Sequence, residues 1–255
     1  MAGDDNKPTI ITHPAEQVYA LEARFFGCAN DWGWERDFEL QIDDEIPHYS
    51  SPREVQILEQ TCSGCTTTAR VRVPDREEEM LCKAHQSGLL DRALELELLR
   101  LQAIRNFPWS SPIRVPRLIA YVKHAENGHI VGLLREWIDP GDRGGCLEVY
   151  YPPSHEPNPA CAAESDSITP AKERREKWAA QIRETVVRLH AIGVVWGDGK
   201  PHNVVIDSMD DAWLVDFGGG WTPGWVDEEL ADTVEGDEQA VRNIFEFLGV
   251  EERVD

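Results

Sequence analysis

The segment Gly197-Asp198-Gly199-Lys200-Pro201-His202-Asn203 places Asp, Lys and Asn at i, i+2 and i+5 on one irregular stretch of chain. Two short apolar runs follow, Val204-Val205-Ile206 and Ala212-Trp213-Leu214-Val215, and bring the chain to Asp216-Phe217-Gly218. Carboxylate and amide oxygens are what a hard divalent cation such as Mg²⁺ takes as ligands. An ammonium two residues beyond a carboxylate can stabilise charge on a transferring anionic group. Either Asp could instead be an ordinary turn former, because its short side chain bonds to nearby backbone. The order and spacing of the whole set argue for chemistry over turn formation.

That order, Asp198 with Asn203 five residues on and then Asp216-Phe217-Gly218, resembles the catalytic core of the protein-kinase-like superfamily. In style it is similar to the kinase-like proteins common in fungi and to the aminoglycoside and choline phosphotransferases. The later stretch Gly224-Trp225-Val226-Asp227-Glu228-Glu229-Leu230, followed by Glu235-Gly236-Asp237, resembles the fungal group in particular. The resemblance implies Mg²⁺ and ATP as substrate complex, with Asn203 and Asp216 as metal ligands. It implies Asp198 as the group that orients or deprotonates the acceptor hydroxyl, and Lys200 as the stabiliser of the moving phosphoryl. His190 falls where such families carry a histidine, and reads as a packed helix-end residue. His202 is a loop residue beside Asn203. Asp237 resembles the family aspartate that anchors the catalytic loop from a later helix, and an ordinary helix N-cap explains it equally.

The family's first half supplies a strand lysine to the phosphates and a helix glutamate to hold it. Lys83 ends the apolar run Met80-Leu81-Cys82 and takes the first role under the resemblance. Glu95 and Glu97 compete for the second. On a helical period Leu90, Leu94, Leu101 and Ile104 form one inward stripe that includes Glu97, whereas Glu95 turns toward solvent. A carboxylate on an apolar face is costly unless paired, so Glu97 is preferred. The adenine-side hinge corresponds to Leu133–Ile138, with Glu136 and Ile138 as nucleotide contacts and Arg135 near the pocket's guarding position. The glycine-rich loop over the phosphates corresponds to Thr61–Thr68, where Gly64 alone remains. Close backbone approach to phosphate is less free there.

The elements that must position these groups form a β-rich half, a Pro-rich joint and a helical half, an α+β arrangement of two lobes. Strands are expected near 55–58, 69–73, 80–84, 113–123 and 129–138, and helices near 88–105, 171–191 and 237–248, the last stopped by Gly249. The division is an N-terminal cap over 1–54, a β-rich N-lobe over 55–138, a Pro/Gly-rich hinge and insert over 139–170, and a shortened, mainly helical C-lobe over 171–255. With 39 residues after Asp216, the APE triplet and the helices that dock protein substrates have no counterpart. Trp196-Gly197 replaces the family's His-Arg, which removes the charge partner of a phosphorylated activation loop.

Composition bounds the partners. The chain has 255 residues with 25 Lys+Arg against 47 Asp+Glu, a formal charge of −22, which opposes nucleic acid and anionic membrane. Hydrophobic residues make up 41%, with nine Trp, which fits a folded core. Six Cys are too few for a disulfide scaffold, and no secretory start or membrane span is expected, so the setting is cytoplasmic or nuclear. Cys62-Ser63-Gly64-Cys65 is a single CxxC without the further ligands a zinc site needs. Two readings result. The first is a Mg-ATP phosphotransferase acting on a hydroxyl-bearing small molecule or protein. The second is a pseudokinase, a nucleotide-binding or scaffold module with a protein partner and little turnover.

Overall fold

The structure, a computed structural model, describes residues 43–51, 53–62, 66–85, 88–125, 128–140, 145–150 and 170–251. The Gly64 region lies outside the described residues. The fold is α+β. One compact unit runs up to Leu90 and includes Ile119–Arg135; a second comprises Asp91–Leu118 and the chain from Glu136 onward. These boundaries differ from the expected 54/55, 138/139 and 170/171 divisions. The helix after Leu90 goes with the second unit, and the expected cap contributes a strand to the first.

The first unit is built on a mixed six-stranded sheet of β1 (His48–Ser51), β2 (Gln56–Cys62), β3 (Thr66–Arg72), β4 (Met80–His85), β5 (Leu118–His124) and β6 (Ile130–Glu136), ordered β1-β5-β6-β4-β3-β2. β1 runs parallel to β5, while β2–β3 and β3–β4 are antiparallel. In β3 and β4 burial alternates with the strand period. Ala69, Val71, Met80, Cys82 and Ala84 enter the core, and Thr68, Arg70 and Lys83 take the other face. Lys83 pairs in register with Thr68 and is half-buried. The strand expected from 113 starts at Leu118, because Pro112 and Pro116 bring no N–H to a ladder.

In the second unit, α1 (Arg92–Asn106) starts where the Asp91 carboxylate accepts the Leu94 N–H at 2.9 Å. Gly88–Leu90 is a separate 3₁₀ turn and Leu90 is exposed, so Leu90 leaves the expected inward stripe. β7 (Val204–Ile206) and β8 (Ala212–Leu214) form an antiparallel hairpin. α2 (Lys172–Ala191) packs against β8 and against α3 (Val234–Leu248). α3 begins earlier than expected, at the Thr233 cap, whose hydroxyl accepts the Gly236 N–H at 3.0 Å. Its stop at Gly249 is as expected, since Gly249 takes φ 62°, a left-handed cap without the Cβ penalty. No helix among the described residues is long and apolar enough to cross a membrane.

Polar side chains lock the β7–β8 turn onto α2. Buried Gln181 donates to Asp211 Oδ1 at 2.6 Å and accepts the Ala212 N–H at 2.8 Å. Trp178, fully buried, donates its indole N–H to the Asp210 carbonyl at 3.1 Å. The Gln181 amide, with the Lys177 ammonium beside it, holds the Asp211 carboxyl below the usual carboxylate range. A depressed folded-state pKa stabilises the fold above the unfolded value of about 3.9, and that contribution disappears as pH falls through the folded value. Asp211→Asn is therefore expected to be less stable than the parent at neutral pH, with the gap narrowing in acid. Denaturant titrations of both proteins across this range check it, and a gap independent of pH contradicts it.

Candidate functional site

The stretch from Trp196 to Asn203 is fixed from behind by one carboxylate. Asp237, in the first turns of α3 and only 1% exposed, accepts the Trp196 N–H at 2.7 Å and the Gly197 N–H at 2.8 Å. His190 Nε2, from the last turn of α2, lies 2.9 Å from the same carboxylate. A carboxylate buried this deeply is tolerable only with several donors. Thr233 caps the helix, so the N-cap alternative for Asp237 does not hold and the loop-anchoring alternative does. Trp196 itself is fully buried, its indole N–H donating to the Val215 carbonyl at 2.9 Å. Gly197 sits at φ 95°, and a Cβ there would come within 2.7 Å of Asp232 Oδ1 and 2.8 Å of an Arg100 nitrogen. The Trp-Gly pair is thus demanded by packing and backbone conformation.

On this support the polar side chains close a ring. The Lys200 ammonium bonds to Asp198 Oδ2 and donates to the Thr222 hydroxyl at 2.9 Å. That hydroxyl donates to Asp198 Oδ1 at 2.8 Å. Asn203, 3% exposed, donates its amide N–H₂ to the Asp198 carbonyl at 2.8 Å, which leaves its Oδ1 as the atom suited to a hard cation. The Val215 N–H donates to the Asn203 carbonyl at 3.0 Å, so the residue that follows, Asp216, leaves the hairpin beside Asn203. Asp216 holds φ 61°, a left-handed conformation uncommon for a residue with a side chain and recurrent where function constrains the backbone. Phe217 is buried, and its carbonyl accepts from Arg100 of α1 at 3.0 Å. Arg100 also pairs with Asp232 at 2.9 Å and reaches the Trp196 carbonyl at 3.5 Å.

The structure therefore joins Asp198, Lys200 and Asn203 in one cluster of the second unit, and the chain reaches Asp216 one residue past the Val215–Asn203 backbone bond. Glu97 belongs to the same unit, on α1, and is 1% exposed, as the stripe argument expects. The companion expectation for Glu95 is corrected. Glu95 is buried too, at 7%, and its carboxylate pairs with the Arg92 guanidinium at 2.6 Å. Lys83 lies in the first unit on β4. Glu136 uses its own N–H on the Arg117 carbonyl at 2.9 Å, and its side chain accepts the Arg117 N–H at 3.3 Å. Ile138 is buried at 8% and Arg135 at 9%.

Thr222 and Arg100 were not among the expected residues. Both are common residue types, far in sequence from the groups they hold, and no local pattern marks either. No family model matches the chain, and no curated protein matches it. Replacing Asp237 by Ala leaves two backbone N–H groups buried without acceptors, each costing about 1–3 kcal/mol. The expected result is a loss of at least about 2 kcal/mol in equilibrium unfolding, with Asp237→Asn, which keeps one acceptor oxygen, losing less. Equal stability of Asp237→Ala and parent contradicts the anchoring role.

Proposed function

We propose that the chain is a Mg-ATP-dependent phosphotransferase with a two-lobed protein-kinase-like fold, moving the γ-phosphate to a hydroxyl of a small molecule or protein. The observation that carries the reading is the ring of Asp198, Lys200, Thr222 and Asn203, held by buried Asp237 next to a left-handed Asp216. The donor set fits a hard cation, with an amide oxygen from Asn203 and a carboxylate from Asp216 and no soft ligand between them. Mg²⁺ held there would neutralise charge on the triphosphate. In this reading Lys83 contacts the phosphates, Glu97 holds Lys83, and the backbone of Glu136 and Ile138 receives the base.

The chemistry of the chain's own residues follows from the ring. Asp198 offers a carboxylate oxygen to the acceptor hydroxyl in the place that Thr222 Oγ1 takes on Oδ1. It aligns the attacking oxygen and takes its proton as the new bond forms. Lys200, now neutralised by Asp198, turns its charge toward the transferring group as the acceptor enters. The chain's charge of −22 opposes a triphosphate at long range. Local cations have to overcome that field, and a cationic acceptor would be drawn in by it.

Two experiments bear on this. Thermal melting at a Mg-ATP concentration of ~100 times its dissociation constant should add about 2.7 kcal/mol of stability, and Asp216→Ala should lose most of the gain. No shift at millimolar Mg-ATP rejects the reading. Asp198→Asn should keep the nucleotide-induced shift and lose at least about a hundredfold in phosphoryl transfer. Full transfer by that variant removes Asp198 from the role. A nucleotide shift in the parent without turnover, on a panel of hydroxyl-bearing metabolites and proteins, favours the second reading, a nucleotide-binding scaffold.

A further inference from the structure

A second constellation lies on the outer side of the same loop. Cys146, Glu148 and His202 bring one thiol, one carboxylate and one imidazole together, with all three ligand atoms within 4.8 Å of one another. Cys146 Sγ is 3.7 Å from His202 Nδ1, which is 3.2 Å from Glu148 Oε2. Donors bound at about 2.0–2.3 Å around a tetrahedral ion stand about 3.3–3.7 Å apart. The group is therefore close to the size of a coordination shell before any ion enters.

The segment that carries Cys146 and Glu148 is firmly placed. Cys146 makes a backbone bridge to Val205 of β7, and Leu147 is fully buried. Tyr150 packs its ring on Trp178 at a centroid distance of 5.2 Å. His202 sits in the 3₁₀ turn Pro201–Asn203, between Lys200 and Asn203. Two segments remote in sequence are thus held in position with their donors facing one another. His202 and Glu148 are well exposed, at 68% and 52%, so an ion has access from solvent.

We propose that Cys146, Glu148 and His202 form a Zn²⁺ site that clips the 145–150 segment to the loop carrying Asp198 and Asn203. Thiolate and imidazole select a borderline-soft ion and argue against Mg²⁺ or Ca²⁺ at this position. Three protein ligands leave a fourth position for water or an incoming group. Binding expels the thiol proton, and Glu148 supplies a second negative ligand. The site is separate from the oxygen set of Asn203 and Asp216, and its occupancy is read without nucleotide.

The test uses the full chain, stripped with chelator, in a Cys62→Ser/Cys65→Ser background that removes the CxxC thiols. Titration with zinc against a chromogenic indicator should show one equivalent. Cys146→Ser and His202→Ala should each weaken binding by at least about tenfold. Cobalt(II) in place of zinc should give a thiolate-to-metal charge-transfer band that Cys146→Ser abolishes. Cys82 gives no such band, because it is buried in the core of the sheet, out of reach of the ion. Circular dichroism melting checks that the variants fold. Should Cys146→Ser be misfolded, His202→Ala and Glu148→Gln decide, since both positions are on the surface. Zinc affinity unchanged in the folded variants, or a cobalt complex without the charge-transfer band, overturns the proposal.

Discussion

The carboxylate of Asp237 is the constraint on which the site rests. It is a charge taken almost wholly out of water, and burial of that kind is stable only when donors surround it. Those donors are the backbone of Trp196 and Gly197 and the ring of His190, drawn from a loop and from a second helix. One side chain on α3 thereby sets the path of the loop and its relation to α2. The ring of Asp198, Lys200, Thr222 and Asn203 begins one residue later and inherits its position from that attachment. Around it the supporting contacts are apolar, with Trp178, Trp196, Leu189 and Phe217 buried almost completely.

How much of this was legible from the sequence depends on whether a signal was local. Asp198, Lys200, Asn203 and Asp216 lie within one loop–hairpin–loop unit, so the order that carries the resemblance could be read along the chain. The α2 periodicity was equally plain, and the helix spans Lys172–Ala191 much as expected. Helix starts were less well placed, because a single cap decides them. Asp91 and Thr233 outweigh the apolar stripe, and one cap delays α1 while the other advances α3. Periodicity also misjudged Glu95, since it takes no account of a neighbouring arginine that pairs with the carboxylate where it is buried.

Tertiary partners were the least legible. Thr222 reaches Asp198 across 24 residues, and Arg100 reaches Phe217 across 117. Neither belongs to a pattern that periodicity or spacing detects. Cys146 and Glu148 were hidden for a related reason. They lie within the Pro- and Gly-rich stretch 139–170 that reads as insert, and their partner His202 looks like a bystander in the loop motif. The substitution of Trp-Gly for His-Arg before Asp198 becomes intelligible only with the fold in hand. The indole fills the core behind the loop, and the glycine admits a backbone turn that a side chain would block.

Arg100 leaves α1 one turn after Glu97 and holds three places at once. Its guanidinium holds the Phe217 carbonyl, the Asp232 carboxylate and, more distantly, the Trp196 carbonyl. A rotation of α1 that moved Glu97 by one helical position would tear all three attachments. Arg100 thereby ties the setting of the helix to the Asp-Phe-Gly backbone. A ligand that favoured a different setting of either would register at both.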